Sequence, residues 1–249
     1  MIDKRSSEIR GMFRTIAPWY DFLNHLLSFQ QDRLWRRRLV RLSDNSEAGR
    51  APRRILDLCS GTGDLALGFA RVAEAGDLVV GADFTEAMLQ RAQEKAAKAK
   101  APCALSMVCG DALRLPFEDA TFDVVTAAFG VRNFENLTAG LREMMRVTAP
   151  GGQVLILEFS QPRSRGFRAL YLWYFTRLLP VIGRLFTRTN SYSYLRDSVL
   201  DFPDRLALKK LLEECGLRSI EIYPLTLGVA LIHAGRKPLA EQVDGTFSS

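Results

Sequence analysis

The chain has 249 residues, 47% of them hydrophobic and 25% charged, with a formal net charge of +6. These values match an ordinary globular protein with enough apolar residues for a sizeable core, and no apolar run reaches the ~18 residues needed to span a bilayer. Residues 1–10 are charged and lack an apolar stretch, which excludes a secretory signal and sets the expected address as the cytoplasm.

Residues 1–49 stand outside any strand–helix alternation and are expected to form a helical lid in front of a single domain spanning 1–249. From Arg54 to Phe159 strand-like and helix-like runs alternate. Arg54–Leu58 reads as a strand, Cys59-Ser60-Gly61-Thr62-Gly63 as a turn, and Asp64–Glu74 as a helix through the spacing of Leu65, Leu67, Phe69, Ala70 and Val72. Leu78–Ala82 is the next strand, ending at Asp83. Thr85 is expected to cap the following helix, with Glu86 early and Lys95 and Lys98 late, as the helix dipole favours. Ala104–Cys109 and Phe122–Ala128 read as strands three and four. Leu137–Val147 is a helix stopped by Pro150-Gly151-Gly152, and Val154–Leu157 is strand five. The core then resumes over about 204–237. It has a helix at Leu206–Cys215 closed by Gly216, then strands Ser219–Tyr223 and Leu227–Ala234 in hairpin-like succession. Residues 161–203 form an aromatic and arginine-rich insertion, and the tail after Lys237 is expected to fray. Strands that are apolar throughout belong to a parallel sheet covered on both faces, so the pattern predicts a doubly wound α/β fold.

Three polar signals fall at strand carboxyl ends, where ligands of such sheets bind. They are Asp57 with Gly61, Thr62, Gly63 and Asp64; Asp83, placed to accept ribose hydroxyls; and Asp111-Ala112, where a carboxylate can reach an adenine amino group. Gly61-x-Gly63-x-x-Ala66 also satisfies a nicotinamide-dinucleotide fingerprint. Charge decides against it. A pyrophosphate lies on the helix N-terminus, and here Asp57 and Asp64 would repel it. The same acids suit S-adenosylmethionine, which carries an ammonium and a sulfonium. Four cysteines without a Cys-x-x-Cys pair and only two histidines do not supply a zinc site, so no metal is expected. No Asn/Asp-Pro-Pro-aromatic run is present, so no nucleic-acid substrate is expected. A non-enzymatic binding module fits poorly with intact acids and glycines at every strand end.

Longer blocks carry a more specific signal. Tyr20-Asp21-Phe22-Leu23-Asn24-His25-Leu26-Leu27-Ser28, Phe129-Gly130-Val131-Arg132-Asn133-Phe134, Arg146–Gly152, Leu157-Glu158-Phe159-Ser160, Ser191-Tyr192-x-Tyr194-Leu195 and Gly228-Val229-Ala230 resemble the ubiquinone/menaquinone biosynthesis C-methyltransferases over roughly residues 12–237. The resemblance implies a class I Rossmann-like methyltransferase with a mostly parallel seven-stranded sheet. It also implies cofactor contacts at Thr62, Asp83, Asp111 and Ala112. The implied activity is methylation of a ring carbon of a prenylated quinol. The Asp57–Thr62 block leans toward demethylmenaquinol, and the methoxy-benzoquinol precursor of ubiquinone is the alternative. Four positions depart from the family: Leu23 replaces Met, Asp32 replaces His, Ala149 replaces Lys, and Ala128 stands where some relatives have a cofactor-contacting Ser.

For the chemistry, Arg132 is expected to stabilise a phenolate and Asn133 to hydrogen-bond a quinol oxygen; the plain alternative for Arg132 is a surface pair with Glu135. Tyr20, Asp21 and His25 are candidate bases, His25 equally a packing residue among leucines. The segment Gly166–Asn190 interleaves Phe167, Leu170, Trp173 and Phe175 with Arg168, Arg177, Arg184 and Arg188, and Pro180 is expected to kink it. That composition suits an interfacial helix, or else a core or dimer helix. The expected partners are a lipid quinol and, transiently, the inner face of the cell membrane, with a homo-oligomer left open.

Overall fold

A computed structural model describes residues 6–43, 51–178 and 191–239. Three helices open the chain: α1 (Ser6–Ile16), α2 (Tyr20–Leu27) and α3 (Gln31–Ser43). The alternating core follows as β1 (Arg54–Leu58), α4 (Asp64–Val72), β2 (Leu78–Asp83), α5 (Glu86–Lys98), β3 (Ala104–Cys109), β4 (Phe122–Ala128), α6 (Leu137–Val147) and β5 (Thr148–Phe159). Then come α7 (Arg165–Trp173), continued by one π-helical turn Tyr174–Leu178, α8 (Ser191–Leu200), α9 (Arg205–Glu214), β6 (Arg218–Leu225) and β7 (Ala230–Arg236).

The strands form one seven-stranded sheet in the order β3-β2-β1-β4-β5-β7-β6. β1 to β5 are parallel, and β7 runs antiparallel to β5 and β6. β1 and β2 are buried along almost their whole length, as two-sided cover requires. β3 departs from the expectation of uniform burial: it is an edge strand with alternating exposure. One face of the sheet packs Leu141, Met144, Leu208 and Leu212, from α6 and α9. The other packs Trp35, Leu39 and Phe69, from α3 and α4. β5 is longer than the apolar run predicts, because it begins at Thr148 and carries Pro150 and Gly151, with Gly151 at φ 77°.

Two local expectations are corrected. Thr85 occupies the N-cap of α5 but makes no side-chain capping bond; its backbone N–H donates instead to Asp83 Oδ1 at 2.8 Å. Leu227 lies in a 3-10 turn between β6 and β7 rather than in the last strand, with φ 56°. α9 is capped by Asp204, whose carboxylate accepts from Leu206 and Ala207 N–H, and Gly216 follows it at φ 99°, as a helix stop requires.

The lid is tied down by packing. Leu23 and Leu27 of α2 bury against Tyr171 of α7 and Val199 of α8. A fully buried leucine contributes about 1.5–3 kcal/mol, and leucine for methionine at position 23 keeps that contribution. Ile16 and Ala17 pack on Met88 of α5. The Trp35 indole N–H donates to Thr226 Oγ1 at 2.9 Å. Pro180, Arg184 and Arg188 of the aromatic and arginine-rich insertion, and the tail from residue 240, lie outside the described residues, as does the Phe175 side chain.

Candidate active site

The carboxyl ends of β1 to β4 meet in one polar cleft. The turn after β1 is built for close approach. Gly63 caps α4 at φ 82°, and a Cβ there would sit 3.0 Å from the Ala92 Cβ. Across the cleft Gly130, after β4, leaves room for Cys59: an added Cβ would fall 2.3 Å from the Cys59 Cβ. Asp83 Oδ2 accepts from Gly61 N–H at 2.9 Å, and burial raises its pKa. Each carboxylate oxygen keeps a second lone pair for a ligand hydroxyl. Gly61, Asp83, Asp111, Ala112, Ala128 and Asn133 line the pocket at this end. Asp111 Oδ1 accepts from its own turn at Leu113 N–H, 2.9 Å.

A smaller pocket continues past Gly61 and is lined by Asp57, Thr62, Asp64 and Ala128. Asp57 is buried, and its Oδ2 accepts from Ala66 N–H at 2.9 Å, so it also serves the first turn of α4. Burial pushes its pKa up to about 7, against the opposing pull of that hydrogen bond and of Arg36. Asp64 behaves differently. Burial raises it, but Arg36 and Lys95 outweigh burial and hold it below the ordinary carboxylate value.

Lys95 was legible in the sequence only as a helix-dipole partner. It bridges three elements: Nζ lies 2.5 Å from Asp21 Oδ2, 2.8 Å from Asp64 Oδ1 and 3.1 Å from Thr62 Oγ1. Thr62 donates in turn to Asp21 at 2.5 Å. Asp21 is thereby committed and is not a free base. His25 is not a packing histidine among leucines. Its Nδ1 lies 2.7 Å from Asp32 Oδ2 and its Nε2 3.7 Å from Asp64 Oδ2. Asp32 also accepts from Ser28 Oγ at 2.7 Å and pairs with Arg36. Burial works against the Asp32 carboxylate, but Arg36, Ser28 and His25 together hold its pKa down. The ligand atoms of His25, Asp32 and Asp64 lie within 4.8 Å of one another, close enough to hold a cation. Arg36 and Lys95 already neutralise the two acids there.

The second compartment is a largely apolar cavity of about 450 Å³. Its walls include Phe129, Arg132, Phe159, Tyr171, Trp173 and Tyr194. Tyr20 lines this cavity and both polar pockets, so it stands where all three meet. Burial raises the Tyr20 pKa, against Arg132 and Arg36, which keeps the phenol protonated and unsuited to act as a base.

Arg132 does not pair with Glu135. It is buried and pairs with Glu158 at the end of β5, Nη1 to Oε2 2.9 Å and Nη1 to Oε1 3.1 Å. Nη1 also donates to the Phe129 carbonyl, and Nε has no hydrogen-bond partner among the described residues. Asn133 Oδ1 accepts from Tyr194 Oη at 3.1 Å, which leaves its amide nitrogen to donate. Glu158 was missed because only the pairing of β4 with β5 brings it beside residue 132.

A parallel sheet closed by an antiparallel β7, with acids at the ends of β1, β2 and β3 around a glycine turn, defines an S-adenosylmethionine-dependent methyltransferase. The sequence pattern of the ubiE/COQ5 methyltransferase family matches residues 1–237, and the chain belongs to that family. It is 45% identical over 238 residues to the ubiquinone/menaquinone biosynthesis C-methyltransferase UbiE of Geobacter sulfurreducens, covering 96% of this chain and 91% of that one. It is 39% identical over 238 residues to the demethylmenaquinone methyltransferase of Bacillus subtilis, covering 95% and 100%. A solved S-adenosylmethionine-dependent methyltransferase of Thermotoga maritima shares the fold at a TM-score of 0.62 and 14% identity, over 91% of this chain and 99% of that one.

Asp57 is expected to make cofactor binding pH-dependent. Its folded pKa lies above the ordinary 3.8, so without ligand its contribution to stability is whole below about pH 4 and lost as the pH rises through about 7. A cationic ligand reverses the preference, because it favours the ionised carboxylate. Cofactor affinity is therefore expected to strengthen between about pH 6 and about pH 8, by at most about tenfold per unit. The Asp57→Asn variant should lose that dependence. Titration calorimetry across the range checks this; a flat profile in the parent enzyme refutes it.

Proposed function

We propose that the protein methylates a ring carbon of a prenylated quinol, demethylmenaquinol, in respiratory quinone biosynthesis. The observation that carries the reading is the junction at Tyr20 and Phe129, where the cleft holding Asp83 and Asp111 meets a cavity walled mainly by aromatic and aliphatic side chains. The names of the relatives support the same chemistry.

S-adenosylmethionine supplies an electrophilic methyl group when bound. Asp83 would accept the ribose hydroxyls, Asp111 would reach the adenine amino group, and Gly61 and Ala112 would allow close approach to the backbone. Asp57, with Thr62 and Gly63, forms the methionine end. The Arg132 guanidinium, which lines the cavity, would stabilise the phenolate, while Glu158 and the Phe129 carbonyl hold its Nη1 in place. Asn133 donates its amide to the same ring. Fixing acceptor and methyl donor in line lowers the barrier through positioning.

Loss of the gene is expected to cause demethylmenaquinone to accumulate, and purified protein with S-adenosylmethionine to methylate that quinol. Absence of both results overturns the reading. The name of the Geobacter sulfurreducens relative also favours the methoxy-benzoquinol precursor of ubiquinone as a substrate, which the same quinone profile reads out.

Among the described residues no helix is long and apolar enough to cross a membrane. We place the protein in the cytoplasm with peripheral contact at the membrane, because the tail of the quinol resides in lipid. α7 offers the entry: Leu170 and Trp173 are exposed while lining the cavity. Trp173→Ser with Leu170→Ser is expected to lower turnover of long-tailed quinol in vesicles by about tenfold, at roughly 1.4 kcal/mol of lost apolar contact. Turnover of a short-tailed analogue in solution should change little. Equal losses on both substrates would assign these side chains to folding rather than entry.

A further inference from the structure

We propose that the outer face of α2 docks the enzyme onto a bilayer bearing anionic headgroups, an inference that rests on the quinol reading for its purpose but not for its test. Phe22 and Leu26 lie four apart on α2, and they are flanked by Trp19 at its N-cap and by Phe29, just past its C-cap at φ 52°. In chain order the four are 52%, 52%, 43% and 73% exposed, while Leu23 and Leu27 on the opposite face are buried. Single exposed apolar residues are ordinary; four large ones gathered on and around one short helix are the kind of concentration that marks an interaction site.

The surrounding charge selects the occupant. Residues 6–43 hold seven arginines (Arg10, Arg14, Arg33, Arg36, Arg37, Arg38 and Arg41) against Glu8, Asp21 and Asp32. Asp21 and Asp32 are bound to Lys95 and Arg36. On α3, Arg33, Arg37 and Arg41 recur every fourth residue and are exposed. Aromatic and leucine side chains followed along the chain by a row of exposed arginines are the composition of an interfacial segment. Each basic residue near an anionic surface adds attraction, and the effect is weakened by salt. A second copy of this basic surface would meet like charge.

The position is consistent with delivery. The Phe29 ring lies 5.8 Å from that of Tyr174, and both line the apolar cavity with Leu170 and Trp173. Docking through α2 sets the mouth of that cavity against the lipid.

Co-sedimentation with quinol-free vesicles tests the proposal. Parent protein should bind vesicles containing phosphatidylglycerol, bind phosphatidylcholine alone weakly, and release in high salt. The Trp19→Ser/Leu26→Ser variant should lose about tenfold in partitioning while keeping cofactor affinity as a folding control, and Arg33→Gln/Arg37→Gln should lose only the dependence on anionic lipid. Undiminished binding by the first variant overturns the proposal. So does a parent dimer in solution that this variant splits into monomers, because these side chains would then form a self-association surface. Methylation of quinol in detergent micelles is read separately. Vesicle binding without such methylation leaves the docking face standing and removes the quinol reading alone.

Discussion

Arg132→Leu is expected to lower kcat by about 10²–10³-fold, the usual effect of removing one donor from a developing oxyanion. Cofactor affinity should change much less, because the proposed interaction strengthens only as charge develops on the acceptor oxygen. The same change strands Glu158 in a buried site, and breaking a buried pair costs about 3–5 kcal/mol. Arg132→Lys separates the two effects. It retains a cation for Glu158 but lacks the planar, delocalised guanidinium proposed to face the phenolate. Most of the stability should return in the lysine variant and little of the turnover. Steady-state kinetics with thermal unfolding decide it; full turnover in the lysine variant would reduce Arg132 to a structural cation.

Asp83→Asn should weaken binding of S-adenosylmethionine and of its demethylated product about 10- to 150-fold, the loss of about 1.5–3 kcal/mol of hydrogen bonding to a charged acceptor. Asparagine leaves one carboxamide oxygen where the structure uses two acceptors, for Gly61 and for Thr85. The glycine turn should therefore loosen as well, with the sheet intact. Calorimetry with both ligands measures the effect. Unchanged affinity in a folded variant would place the ribose elsewhere.

The parallel half of the fold was legible because burial on both faces forces strands such as Leu78–Asp83 to be apolar, and because the glycine turn after β1 admits few alternatives. The acids expected at the strand ends, Asp57, Asp83 and Asp111, do line the pockets there. What stayed hidden is cross-chain pairing. Glu135 is three residues from Arg132 and looks like its partner; Glu158, on the neighbouring strand, is its partner. Asp32 read as a missing histidine, yet it gathers His25, Ser28 and Arg36. Lys95 joins residues on α2 and α4 that no local periodicity connects to it. In each case the informative distance is set by the docking of the first three helices, for which hydrophobic spacing gives existence but not position.

The hydrogen bond from Trp35 to Thr226 joins residues 191 positions apart. During synthesis α3 leaves the ribosome early, but the turn it anchors to comes only after β6. Until then Leu39 and Val40 have the early strands to cover, whereas Trp35 and the lid ahead of it lack their last fixed point. Contacts closed over such long loops form late. The apolar cavity is thus among the final parts to be enclosed, and a nascent chain stopped before β6 would carry the strand ends of the cofactor cleft beside an open apolar wall.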